Sequence, residues 1–252
     1  MRTGAPEGTR ARGKAGPATL HLLGGPYVTQ DGNRIKVPEG SKRLLAFMAL
    51  RRGRVERCHA AGALWPLCTD RRAAGNLRSA LWRLKAADID VFDSDKWSLE
   101  LREDVAVDVH VIGEWAARLM SGRPRPDDLT IAGRFEGALD LLPGCYDDWA
   151  LTERERMRQR MLHALEALSR LLSGMGRHGE AVEAAMMAIN SEPLRESAQR
   201  VLLEAHIEED NWVEARRGFA AYRDLLRREL GVEPSRDLAV LVRWREGLAM
   251  PA

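Results

Sequence analysis

The sequence predicts a chain that is mainly α with small β-sheets: an N-terminal α+β region followed by an all-α array of paired helices. Three observations predict it. From about residue 18 to 109, strand-like runs, three helical stretches and a hairpin follow one another between Gly, Pro and Asp breaks. Further on, Glu180-Ala181 recurs as Glu214-Ala215 within uninterrupted helical patterning. Charge divides in the same place, with 19 basic and 13 acidic residues through position 112 (net +6) and 20 basic and 24 acidic after it (net −4).

Residues 1–17 (MRTGAPEGTRARGKAGP) have little to bury and read as a disordered basic tail. Thr19–Leu23, Tyr27–Gln30 and Arg34–Val37 are short strand-like runs separated by Gly24-Gly25-Pro26 and by the hairpin-forming Asp31-Gly32-Asn33. Ser41 stands as an N-cap before KRLLAFMALRR, whose Leu44, Leu45, Met48 and Phe47 form an inward face, and Gly53 ends that helix. Glu56–Trp65 makes a second helix, stopped by Pro66. Thr69 or Asp70 caps a third. Ile89–Phe92 and Trp97–Leu101 then form a hairpin about the turn Asp93-Ser94-Asp95-Lys96.

The third helix is the informative one. RRAAGNLRSALWRLK holds five basic residues and no acidic one, while Leu77, Leu81 and Leu84, with Ala74 and Ala80 beside them, share one face. Arg71, Arg78, Trp82 and Lys85 fall on one flank of the opposite side, and Arg72, Asn76, Ser79 and Arg83 on the other. From Arg34 to Ala87 there are 13 basic and 3 acidic residues, a field that concentrates a polyanion. A basic helix face can also be only a solvated surface. Its place as the third helix before a hairpin favours a DNA-reading helix with a wing beside it.

The second half is a helical repeat. The offset that brings Glu180-Ala181 onto Glu214-Ala215 is 34 residues, and it also brings Gly176 onto Asp210, Leu168 onto Leu202 and Ala188 onto Tyr222. Thirty-four residues is the period of tetratricopeptide helix pairs, in which Ala181 and Ala215 mark close helix approach and Pro193 a helix end. Helices are expected near Glu114–Met120, Leu129–Leu141, Trp149–Ser173, His178–Ile189, Pro193–Glu208, Trp212–Glu229 and Ser235–Glu246. Trp149 and Trp212 are the expected buried anchors.

Composition argues against other chemistry. Cys58, Cys68 and Cys145 are odd in number and lack metal-ligand spacing, so they read as reduced core or boundary residues, with no metal and no disulfide. The six histidines are scattered without a triad or metal pattern. Gly24-Gly25-Pro26 is too short to cradle a phosphate and no helix follows it. No cofactor, no catalytic residue and no enzyme activity are expected. No run approaches the length of a membrane span and the N-terminus lacks a signal-peptide core, which implies a cytoplasmic protein.

LHLLGGPYVTQDGNRIKVP, KRLLAFMALRRGRV, Ala63-Leu64-Trp65-Pro66 and NLRSALWRLK together resemble the winged helix-turn-helix domain of SARP-type transcriptional activators, the antibiotic regulatory proteins, whose DNA-binding fold is similar to that of OmpR-type response regulators. Asp147-Asp148-Trp149 before ERERMRQRMLHALEAL, Gly176-Arg177-His178, Pro193-Leu194-Arg195-Glu196 and Leu230-Gly231-Val232-Glu233-Pro234-Ser235 resemble the bacterial transcriptional activation domain that follows it in that family. Where the family's wing commonly has Gly-Tyr, this chain has Lys96-Trp97. The resemblance implies the short, two-domain form: a winged helix over 18–109 and a tetratricopeptide-like activation domain over 110–252.

It also implies a function. A recognition helix at about 70–87 would enter the major groove, with Arg78, Arg83 or Lys85 reading guanine and Asn76 adenine, and Arg71, Arg72, Lys42, Arg43 and Lys96 on phosphates. Ser79 and Trp82 share that surface, Trp82 either packing on the wing or touching DNA. The expected partners are double-stranded promoter DNA with direct repeats and RNA polymerase with its sigma factor, bound by a homodimer at the nucleoid. The competing expectation is a tetratricopeptide-type interaction scaffold whose winged helix binds no DNA.

Overall fold

The computed structural model describes residues 18–130 and 140–243. The tail expected over 1–17 and most of the helix expected over Leu129–Leu141 lie outside those residues, as does the end of the last expected helix. The described residues fall into two compact units: one runs to His110 and takes in Leu142–Gly144, and the other holds the rest.

The first unit opens on β1 (Ala18–His21), β2 (Tyr27–Gln30) and β3 (Asn33–Ile35), paired antiparallel in sequence order. Asp31 and Gly32 form a two-residue loop with φ of 51° and 77°, which brings Gln30 opposite Asn33. Positive φ at both loop residues matches the strand twist, and this is why Asp-Gly sits there. A fourth strand, β7 (Ala106–Val107), joins parallel to β1 with Leu20 opposite Val107. Sequence pattern could not show it, since two residues carry no alternation. Directly after it, the Asp108 carboxylate accepts the backbone N–H groups of Leu22 at 3.0 Å and Leu23 at 3.1 Å, fastening the end of β1.

Three helices follow: α1 (Glu39–Leu50), α2 (Arg57–Leu64) and α3 (Asp70–Ala86). Their core is Leu44, Leu45, Phe47 and Met48 of α1, Ala60 and Leu64 of α2, and Ala73, Leu77, Ala80 and Leu84 of α3, all buried. The buried stripe of α3 is therefore turned slightly from the expected one, and Ala74 and Leu81 are only half-buried at its edge. Ser41 is not an N-cap. Pro38 takes that position, and Ser41, one turn inside, is fully buried with its hydroxyl donating to the Ala80 carbonyl at 2.8 Å.

The hairpin is β5 (Phe92–Ser94), two to three residues later than the expected first strand, with β6 (Ser98–Leu101), where the second was expected, and β4 (Val55–Glu56) pairs with β6 to make a sheet of order β4-β6-β5. The first unit is a winged helix-turn-helix.

The second unit is helical in the described residues apart from its connecting segments, and its first helix begins three residues before the unit does. α4 (Asp108–Met120), the first six residues of which precede the expected start at Glu114, is followed by a 3₁₀ turn at Pro126–Leu129. Then come α5 (Asp148–Gly174), α6 (His178–Ser191), α7 (Glu196–Glu208), α8 (Trp212–Leu230) and α9 (Arg236–Arg243). The 34-residue offset is visible in the backbone. Gly176 and Asp210 both have positive φ, 74° and 61°. The N–H of Arg177 reaches the Leu172 carbonyl at 2.9 Å, and that of Asn211 reaches the His206 carbonyl at 2.8 Å, the same closure one repeat later.

Ala181 and Ala215 are fully buried where the helices of each pair meet, as the spacing predicts. Trp149 and Trp212, by contrast, are half-buried rather than core anchors. Leu203, Tyr222, Leu226, Leu238 and Val242 form a further core cluster, with the Tyr222 hydroxyl donating to the Leu194 carbonyl at 3.2 Å. Cys58 is exposed, and Cys68 and Cys145 are half-buried free thiols, so Cys58 corrects the expectation of a core or boundary residue.

Candidate nucleic-acid interface

Helical geometry assigns each cation of α3 a direction. At about 100° per residue, Arg71, Arg78, Trp82 and Lys85 project within about 60° of one another and opposite the mean direction of the buried Ala73, Leu77, Ala80 and Leu84. All four are exposed, and the stripe from Arg71 to Lys85 runs about 21 Å along the helix. Arg71, Arg78 and Lys85 have no ion-pair partner among the described residues. Their charge is left for an outside anion.

The other expected flank is lateral, at about a right angle to the buried face, and the fold engages most of it. Asn76 is half-buried and its amide donates to Cys68 Sγ at 3.9 Å. The Ser79 hydroxyl donates to the Gly75 carbonyl at 3.0 Å. Arg83 leans across to α1, where Nη1 reaches the Gly40 carbonyl at 3.5 Å and fills the space that a Cβ on Gly40 would need. Only Arg72 of this set is exposed without such a contact among the described residues.

Off α3, Lys42 is held by Glu39 at 2.6 Å, one turn earlier on α1, and Arg43 is half-buried beside it. Lys96 is exposed at the wing tip with Nζ 5.0 Å from the Trp97 ring centroid, and Trp97 itself is 73% exposed. The fold brings Lys96 and Arg78 to one place. Both line an open, mainly apolar cleft of about 650 Å³ between α2, the first half of α3 and the wing, together with Cys58, Ala61, Ala74 and Trp97.

The wing tip is built around the carboxylate of Asp95, which does more than turn the chain. Asp95 accepts the backbone N–H groups of Trp97 and Ser98, each at 2.7 Å, and the Ser98 hydroxyl at 3.1 Å. Arg54 pairs with the same carboxylate and Arg57 Nη1 donates to the Asp95 carbonyl at 2.7 Å. The backbone donors, with a smaller contribution from Arg54, hold the Asp95 carboxyl below its usual pKa. Arg54 and Arg57 are the residues that sequence reasoning missed here. The signal was the Asp-x-x-Ser spacing over 95–98, an Asx-type turn that wants a carboxylate free for backbone donors.

Two further polar clusters among the described residues serve the fold. The Ser173 hydroxyl donates to Glu208 and also lies 3.3 Å from His178 Nδ1, so the carboxylate holds the serine and does not orient the histidine. That order is wrong for nucleophilic activation. Glu166, buried on α5, meets Arg195 Nε at 2.5 Å and the Ser197 hydroxyl at 2.7 Å, which pins the α6–α7 corner.

Comparison with known proteins follows this division. Residues 124–243 match the model of the bacterial transcriptional activator domain. Regulatory protein AfsR of Streptomyces griseus is 30% identical over 258 residues, which covers 94% of this chain and 26% of that protein. AfsR of Streptomyces coelicolor is 28% identical over 238 residues, 90% of this chain and 24% of the relative. The chain thus spans about a quarter of the length of these relatives. The structure of Mycobacterium tuberculosis EmbR in complex with a low-affinity phosphopeptide superposes with a TM-score of 0.67 at 20% identity, covering 94% of this chain and 66% of EmbR.

The chain is similar to SARP-type transcriptional regulators, and its residues 124–243 carry the activator domain. Its fold, a winged helix before a tetratricopeptide-like activator domain, is that of the EmbR structure. The domain it matches and the relatives it resembles are those of transcriptional regulators.

Proposed function

We propose that this chain is a sequence-specific DNA-binding transcriptional activator, with residues 18–109 as the DNA-binding domain and 110–252 as the activation domain. One observation carries the reading: the exposed, unpartnered stripe of Arg71, Arg78 and Lys85 on the face of α3 opposite its core. An α-helix fits the major groove, and such a stripe offers cations to phosphates at its edges and to guanine O6 and N7 at its centre. Arg78 is the leading base reader. Lys96 and Arg72, beside the stripe, take phosphates.

The geometry narrows the expected set. Asn76, Arg83 and Lys42 must each leave an existing contact to reach DNA, which favours positioning roles for them. A single winged helix reads few base pairs, which favours two copies head-to-tail on direct repeats upstream of a promoter. The activation domain then assists pairing and contact with RNA polymerase and its sigma factor, in the cytoplasm at the nucleoid.

A gel-shift with a random-sequence DNA pool, repeated over a salt series, tests the reading. Enrichment of a sequence, with affinity falling steeply as salt rises, supports it. Absence of any retarded DNA at low salt overturns it and leaves the protein-interaction scaffold.

A further inference from the structure

Trp82 occupies the centre of the cationic stripe, yet neither packing nor charge accounts for it. It is 70% exposed, opposite the buried face of α3, one turn after Arg78 and one turn before Lys85. The wing's own tryptophan, Trp97, sits against Lys96 and lines the cleft at the other half of α3, so Trp82 does not close onto the wing. A large apolar side chain held outward between two free cations is costly in water and unusual on a helix that is otherwise polar on that side.

We propose that Trp82 is a specificity-determining residue that reads thymine in the major groove, an inference that rests on the DNA-binding role proposed for α3. The chemistry selects the base. Thymine presents a C5-methyl group and an O4 acceptor side by side at the groove edge. Indole presents an apolar ring and one N–H donor, and no acceptor. Cytosine, with an N4 donor and no methyl, offers neither partner, and guanine is better served by the guanidinium of Arg78. Neighbouring Arg78 and Lys85, by engaging guanine or phosphate, would press the ring onto the base between them.

The test uses the full chain and DNA that it enriches from a random-sequence pool. Each thymine of the enriched site is replaced singly by deoxyuridine, which removes the methyl and keeps O4. The expected result is one thymine per bound copy whose replacement lowers affinity about fourfold, the worth of one buried methyl group. In Trp82→Ala that position becomes insensitive to deoxyuridine. Trp82→Phe retains the methyl response and loses preference for thymine over 5-methylcytosine, since it lacks the N–H donor.

Enrichment of a site in which every thymine tolerates deoxyuridine, or in which Trp82→Ala keeps the wild-type response, overturns the role of Trp82 and leaves DNA reading by α3 intact. Failure to enrich any sequence overturns both. A Trp82→Ala chain that loses self-association in sedimentation yet keeps the deoxyuridine response assigns the ring to a contact between copies and likewise overturns the inference.

Discussion

The hydroxyl of Ser41 on α1 donates to the carbonyl of Ala80 on α3 at 2.8 Å, with both residues fully buried. This bond crosses the core side of the helix whose opposite face carries Arg78 and Trp82, so it sets how α3 is presented. Ser41→Ala should lower stability by about 1 kcal/mol, the net worth of one buried hydrogen bond. Urea denaturation of the full chain, followed by a probe in the first unit, measures it. A change below about 0.3 kcal/mol would show the bond to be incidental.

Arg78→Ala and Lys85→Ala should separate base reading from phosphate contact. Loss of a base-reading arginine costs about 1–3 kcal/mol at one operator position, whereas loss of a phosphate contact weakens all sequences alike and lowers the salt slope by about one. Arg78 is expected to behave in the first way and Lys85 in the second. Uniform loss for Arg78→Ala, with a flattened salt slope, would move it to the phosphate set.

Asp95 should control the wing. Asp95→Ala removes the acceptor for the Trp97 and Ser98 N–H groups and the partner of Arg54, so amide exchange at 97–98 should speed up while the helices stay folded. Because the folded-state pKa lies below the usual value, the turn's contribution is present above about pH 4 and fades as pH falls through the lowered pKa. Unchanged exchange in Asp95→Ala would mean that Arg57 and the strand bonds suffice.

In the second unit, Asp128 accepts Arg118 Nε at 2.7 Å and Nη2 at 2.8 Å, and the Arg125 N–H at 2.8 Å, with only 3% of its side chain exposed. The Arg118 guanidinium outweighs burial and draws its pKa from 3.8 down to about 2. This linkage contributes about 2 kcal/mol of stability, fully present above pH about 4 and lost as pH falls through about 2. Arg118→Ala should destabilise at pH 7 by about 3 kcal/mol or more, since it leaves a buried carboxylate unpaired. Arg118→Ala combined with Asp128→Asn should recover part of that loss in thermal unfolding, and no recovery would mean that the ion pair is not the source.

Gly176→Ala should cost about 1 kcal/mol, because φ of +74° places a Cβ against the backbone even though the space around it is open. Gly176→Asn should cost less, as asparagine tolerates that conformation. Equal unfolding midpoints for the two variants would show that the α5–α6 corner relaxes its backbone.

The α3 helix, the hairpin at Asp31-Gly32 and the 34-residue register were legible in the sequence because each rests on local rules. Helical spacing separates apolar from cationic residues, a two-residue loop demands positive φ, and a repeated corner demands Gly or Asp at one offset. These restrict the chain wherever it is placed. The same rules gave no access to β4 and β7, two-residue strands that exist only because a partner edge is there to pair with them.

By itself, then, the sequence determined the kinds of element, their order, and which helix bears the positive charge. Tertiary structure alone decided which of those charges remain free. Asn76 and Arg83 lie on a lateral face, and whether such a face is spent depends on what packs beside it, here Cys68 and Gly40. Arg71, Arg78, Trp82 and Lys85 lie on the side away from the core and are exposed, and no ion pair holds the three cations among the described residues. Ser41 and Asp95 turned from local caps and turns into cross-links for the same reason: a hydrogen bond needs a donor and an acceptor brought to about 3 Å, and sequence spacing does not specify distance between elements.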